Sequence, residues 1–260
     1  MDRKIQIFGE RCSGTNYLES LVRANLINAQ LTWEYGWKHF FPQKPIAADD
    51  NTVFLVIYRH PFRWLQSLHR TPWHVAPQLR GRSFADFIRA EWMCVYNEES
   101  QTAPNDPRYG QEMPFERDPA TGRRFPNAMR MRTAKARAWQ EIGMHTPHLL
   151  SVRYEAVDRQ PEELLRTLQD RFGFVLRKRT KIPVTYKGET TWKKRLQYVW
   201  SRGVRGGFQR HPYPEIGNED KAFIIDNLDL QLEHQIGYLL EYAAAPATES
   251  VRHSATPLRS

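Results

Sequence analysis

Only two cysteines, Cys12 and Cys94, occur in the 260 residues, too few for a disulfide framework or a zinc site of common spacing. A reducing cytoplasm is therefore the expected compartment. No run of eighteen apolar residues is present, so no membrane-spanning helix is expected. Nor is there an apolar segment behind the first residues, because MDRKIQIFGERC leads straight into a strand and a loop; a soluble, unexported chain is the expectation. Acidic side chains are the minority: 29 Asp and Glu stand against 38 Lys and Arg, a formal charge of +9. The pI near 9.6 implies an anionic partner, whether nucleic acid, anionic lipid or a phosphorylated small molecule, or else a solvated basic surface.

What is there is enough for a core. With 40% hydrophobic and 12% aromatic residues the chain is too apolar for disorder. Its length suits one α/β domain with an insertion better than two independent domains. Lys4 to Phe8 alternates weakly and ends at Gly9, and Thr15 to Leu26 then carries Tyr17, Leu18, Leu21, Val22 and Leu26 on a helical stripe. Thr52 to Tyr58 is nearly continuous in apolar residues, which suits a parallel strand covered on both faces. Pro61 opens a helix with Trp64, Leu65 and Leu68, and Phe84 to Tyr96 reads as a further helix with Ser83 at its N-cap.

From Gln101 to Asn127 the sequence turns rich in Pro, Gly and charge without steady periodicity, which reads as an inserted loop or lid, either functional or poorly ordered. A helix is expected from Ala128 to Ile142, a buried strand over HLLSVRYE, a helix from Pro161 to Phe172, and a last amphipathic helix over about Glu219 to Tyr242. The domain thus spans about 1–245, and the tail 246–260 has nothing to pack. Strands alternating with helices give a central parallel sheet flanked by helices.

The first strand, glycine loop and helix place an anion site at a helix N-terminus. Gly9 and Gly14 have the spacing of the nucleotide-triphosphate loop, but Thr15 and Asn16 stand where its Lys and Ser/Thr belong. Backbone N–H groups from Arg11 to Asn16 can converge on a phosphate, with Ser13 and Thr15 adding hydroxyls. A kinase would also need an Asp at the end of a later strand for magnesium. That strand ends instead in Arg59, His60 and Pro61, which suits a donor met by protein cations without a metal.

On these residues the chain resembles the sulfotransferases that use 3′-phosphoadenosine 5′-phosphosulfate (PAPS). GERCSGTNYLESL is similar to their 5′-phosphosulfate loop, and YRHPFRWLQSLHR to their 3′-phosphate signature, an Arg-x-Pro turn with a Ser eight residues beyond the Arg: Arg59, Pro61 and Ser67. WKHFFP, Trp37 to Pro42, resembles the segment carrying a Lys and a catalytic His. VRYEAVDRQPEELLRTLQDRFGF resembles the family's Tyr-Glu strand end and Pro-Glu-Glu helix. SRGVRGGFQRH resembles the late segment over the 3′-phosphate, with Gly207 and Phe208 replacing its Asp and Trp.

The resemblance implies a P-loop nucleotide-binding architecture and a catalytic set of His39 as base with Lys38 or Arg11 neutralising the transferring group. It implies cofactor contacts from Arg11, Cys12, Ser13, Gly14, Thr15 and Asn16 to the phosphosulfate and from Arg59, Ser67, Arg202 and Gly203 to the 3′-phosphate, with adenosine 3′,5′-bisphosphate as product and no metal. Cys12 occupies the position where many members carry the loop Lys, so Arg11 takes that role here. The acceptor, a small molecule or a glycan, is not legible. Glu155 reads as structural, and Trp33, Tyr35, Trp37, Trp73 and Trp92 read as core aromatics or ring-stacking groups. Arg123, Arg124, Arg130, Arg132, Lys135 and Arg137 form either an anion-attracting face or a solvated one. A P-loop kinase and a non-catalytic nucleotide- or nucleic-acid-binding protein are the alternatives; no recognised nucleic-acid motif is present, so no specific nucleic acid is expected.

Overall fold

The computed structural model describes residues 3–47, 51–183 and 213–240. Strands β1 (Arg3–Phe8), β2 (Ala29–Thr32), β3 (Val53–Tyr58) and β4 (Leu149–Arg153) form one four-stranded sheet in the order β2-β1-β3-β4. Every pairing is parallel; Ile5 faces Val53 in register and Phe54 faces Leu149. Helices α1 (Thr15–Asn25), α2 (Pro61–Arg70), α3 (Phe84–Arg89), α4 (Ala128–His145), α5 (Tyr154–Arg159), α6 (Pro161–Phe172), α7 (Asn218–Asn227) and α8 (Leu230–Gln235) follow in chain order.

The apolar run of β3 is explained by its central place. Val53, Leu55 and Ile57 pack with Leu18 and Leu21 of α1 and Leu165 and Leu168 of α6. Phe54, Val56 and Tyr58 point the other way, against Trp139 and Ile142 of α4 and Leu232 of α8. Alternate side chains enter opposite layers, so both faces must be apolar. A fully buried aliphatic or aromatic side chain contributes about 1.5–3 kcal/mol, which makes this strand the spine of the domain. A third cluster joins α2, α3 and α4 to Met113 and Phe125 of the insertion.

Three expectations need correction. β4 is an edge strand with half-exposed side chains, not a buried one, since no described strand lies beyond it. The helix expected to reach Tyr96 ends at Arg89. Beyond it Trp92 N donates to Phe125 O, 2.9 Å, and Cys94 and Val95 bridge Val75 and Glu112, so tertiary pairing of an extended segment outweighs helical periodicity. The last helix is broken at Leu228, where the chain turns extended and Asp229 caps a new helix by accepting from Leu232 N, 3.0 Å. Ser83 does cap α3, accepting from Asp86 N. The expectations for Arg202 and Gly203, for the segment 201–211 and for the tail 246–260 lie outside the described residues.

Residues 101–127 form a largely exposed inserted segment. They run through turns, including a short helical turn at Pro114–Glu116. Met113, Glu116 and Phe125 are buried, so the insertion is anchored in the core through these residues.

Candidate functional site

The candidate site lies at the C-terminal ends of β1 and β3, where ligands of open parallel sheets bind. Gly9 follows β1 so closely against β3 that a Cβ would sit 2.6 Å from Ile57 O. Gly14 has φ +103°, and a Cβ there would lie 2.3 Å from the Tyr154 ring. Both positions therefore require glycine. Gly14 begins α1 without any side-chain cap, which leaves the first-turn N–H groups of an eleven-residue helix for another acceptor.

The loop's side chains divide sharply. Ser13 Oγ donates to Glu10 O at 2.6 Å, so it serves the turn. Cys12 adopts φ +63°; its thiol lies against Thr71 O and Ser67. Burial raises its pKa to about 11, which keeps it a neutral thiol at physiological pH. Thr15 is buried and Asn16 exposed on the first turn.

Arg11 does not reach outward from the loop. It is 2% exposed, and its Nη1 donates to Glu116 Oε1 at 2.9 Å. Lys135 of α4 donates to both Glu116 oxygens, at 2.9 and 3.0 Å, and lies 3.7 Å from Glu10. Burial alone would favour a protonated Glu116, but Arg11 and Lys135 hold its carboxyl down to about 2. Glu10 is raised instead, chiefly by burial. The loop thus rests on a buried charge cluster that the insertion completes.

The same cluster reaches His39, because Lys135 Nζ also donates to His39 O at 2.7 Å. His39 Nδ1 lies 2.6 Å from Gly9 O. A carbonyl only accepts, so Nδ1 carries the hydrogen and Nε2 keeps its lone pair. Burial, then the charges of Arg11 and Lys38, push the imidazole pKa well below its ordinary value. Trp37 packs edge-on at 4.7 Å between ring centroids. Gly9 N donates to Lys38 O at 2.9 Å, so segment 37–40 runs beside the loop.

Lys38 Nζ donates to Asn16 Oδ1 and, at 2.8 Å, to Glu19 Oε1. Arg59, directly after β3, donates from Nη1 to Cys12 O at 2.9 Å and lies 5.1 Å from the Tyr154 ring centroid. It therefore links the two motifs. Its Nε is buried with no hydrogen-bond partner, and no described carboxylate forms an ion pair with it. Ser67 lies two turns into α2, beside Cys12 and the hydroxyl of Tyr213.

The structure brings His39, Lys38, Cys12 to Asn16, Arg59 and Ser67 together; it places Arg11 beneath them. Glu155 accepts from His60 N, 3.0 Å, and from Tyr238 Oη, 2.8 Å, a structural role. Tyr35 and Trp92 are core residues, whereas Trp33 is 45% exposed. The basic residues around the insertion do not form one open stripe. Arg124 pairs with Glu112 and Glu91, Arg137 with Asp229, and buried Arg132 with Glu233. Sequence reasoning missed Glu116 and Tyr213. Nothing in their neighbourhoods sets Glu116 apart from other acidic residues of a Pro- and Gly-rich segment, and Tyr213 follows no motif. No protein-family model and no curated protein matches the chain.

Proposed function

We propose that the chain is a sulfotransferase that moves a sulfuryl group from PAPS to a hydroxyl or amine acceptor. The observation that carries this reading is the pairing of two anion-competent elements at neighbouring strand ends: the uncapped N-terminus of α1 and the unmatched Arg59 guanidinium, joined through the Arg59–Cys12 hydrogen bond. A donor with phosphate groups at both its 3′ and 5′ positions suits such a pair. The Arg59 guanidinium, buried with an unpartnered Nε and no described carboxylate in an ion pair with it, fits an anionic ligand.

When bound, PAPS supplies an activated sulfuryl group on a phosphate leaving group. The N–H groups of α1 and the Asn16 side chain cradle the phosphosulfate, and Arg59 with Ser67 holds the 3′-phosphate. Lys38, held by Glu19 and by Asn16 of the helix's first turn, is the cation assigned to offset charge growing on the departing phosphate oxygen. His39 Nε2 takes the acceptor's proton as its oxygen or nitrogen bonds to sulfur and the sulfur–phosphate bridge bond breaks, releasing adenosine 3′,5′-bisphosphate. The Gly9 carbonyl fixes the tautomer that makes Nε2 the base.

The test is transfer of labelled sulfate from PAPS to a panel of glycans, lipids and phenols. His39→Ala should lower turnover by about two to four powers of ten while leaving nucleotide affinity nearly intact. A protein that labels no acceptor, or a variant that keeps full turnover, sinks the assignment.

A further inference from the structure

The end of β3 and the adjoining face of α2 gather Arg59, Arg63, Ser67 and Arg70 around one aromatic side chain, Tyr213. Gln66 Nε2 donates to Pro214 O at 2.6 Å, which seats the Tyr213–Pro214 backbone on α2. The guanidinium carbon of Arg70 lies 4.0 Å from the Tyr213 ring centroid and that of Arg63 5.9 Å. The ring is thus held by two cation–π contacts, and its hydroxyl lies beside Ser67 and Arg59, whose donors act on its ionisation. Arg59 only donates, so the phenol oxygen accepts from it and has its own hydrogen to give. Burial opposes ionisation of this phenol, yet the Ser67 and Arg59 hydrogen bonds bring its pKa below the ordinary tyrosine value.

We propose that Tyr213 is a direct ligand of the phosphate monoester held by Arg59 and Ser67, donating its hydroxyl hydrogen to the same phosphate; that the monoester is a nucleotide 3′-phosphate rests on the function proposed above. The Tyr213 hydroxyl already lies beside Arg59 and Ser67. A dianionic phosphate is a stronger acceptor than a phenol, so both donors turn to it when it enters. The Tyr213 ring remains on Arg63 and Arg70, and its O–H is then aimed at the newcomer. Arg59 Nε, buried and unpartnered, supplies a further donor. Tyr213 thereby favours a nucleotide that carries a 3′-phosphate over one that lacks it.

Tyr213→Phe keeps the ring, both cation–π contacts and the Pro214 contact, and removes only the oxygen. Calorimetry on both proteins, with adenosine 3′,5′-bisphosphate and adenosine 5′-phosphate as ligands and a thermal melt to check folding, tests the assignment. The variant should bind the bisphosphate about tenfold more weakly and the 5′-phosphate unchanged, the loss of one charged hydrogen bond. Unchanged or tighter bisphosphate binding overturns it, the latter showing that the phenol competes with the anion. Equal weakening for both nucleotides also overturns it, since the effect is then on the fold. Should the unsubstituted chain itself not distinguish the two nucleotides, the sulfotransferase reading fails. The ligand role is then decided by inorganic phosphate, whose affinity Tyr213→Phe must still lower about tenfold.

Discussion

Two groups of buried charge lie on either side of the glycine loop, and they are built on opposite rules. Below the loop, Arg11 and Lys135 meet Glu10 and Glu116, two cations against two carboxyl groups, all nearly inaccessible to water. Above it, Arg59 is 6% exposed yet meets a backbone carbonyl, a tyrosine ring and the Tyr213 hydroxyl. A buried charge without a counter-ion is costly, so it persists where a ligand brings the opposite sign. The matched cluster is architecture; the unmatched one is where the proposed site is assigned.

The largest effect on folding should come from breaking the matched cluster. Glu116→Gln leaves Arg11 and Lys135 buried without their shared carboxylate, and removal of one partner from such a pair destabilises by about 3–5 kcal/mol. Urea unfolding of the purified variant measures it. A loss below about 1 kcal/mol would place the insertion outside the architecture of the loop.

Arg59→Ala sharpens the contrast from the other side. With no carboxylate left behind, the lost contacts to Cys12 O, the Tyr154 ring and the Tyr213 hydroxyl are offset by relief of a buried uncompensated charge, so its effect on stability should be about 1–2 kcal/mol, below that of Glu116→Gln. Bisphosphate affinity should nevertheless fall at least about tenfold. Urea unfolding and calorimetry on the same preparation separate the two quantities. A large loss of stability with unchanged affinity would make Arg59 a structural cation like Arg11.

Smaller and more specific is the pH dependence. The His39 pKa lies well below its ordinary value because burial, Arg11 and Lys38 disfavour the imidazolium. Turnover should therefore persist as pH falls through about 6.5, where a free imidazole protonates, with the acid limb lying lower. Lys38→Met removes one of the opposing charges and should shift that limb upward. A limb at or above the free-imidazole value, unmoved by the variant, would exclude His39 as the base. The same depressed pKa lowers folding stability below about pH 6.5, because the unfolded chain takes up the proton first.

The same contrast explains what could be read from sequence. The sheet was legible at β1 and β3, whose apolar runs meet a glycine loop and a Pro-capped helix, and α6 was legible from Pro161 to Phe172. β2 was not, since Ala29–Thr32 is a short edge strand with no strong period. Residues at the candidate site lie in contiguous motifs, so Lys38, His39, Arg59 and Ser67 could be nominated together. Members of the matched cluster come from three distant segments, and only folding pairs Arg11 with Glu116 and Lys135. That pairing is why the Arg11 guanidinium, read as a ligand group, turns out to be engaged beneath the loop. Tyr213 was hidden for the same reason: its partners on α2 are far away in the chain.

The most direct test of the unmatched site is a calorimetric titration of the full chain with adenosine 3′,5′-bisphosphate in EDTA, with ATP as competitor. If protein cations take the place of a metal at Arg59 and Lys38, the bisphosphate binds at micromolar concentration or below, on the order of −8 kcal/mol. ATP then fails to displace it at equal concentration. A strict magnesium requirement, or displacement by ATP, would contradict the sulfuryl-donor site and favour a triphosphate-using kinase instead.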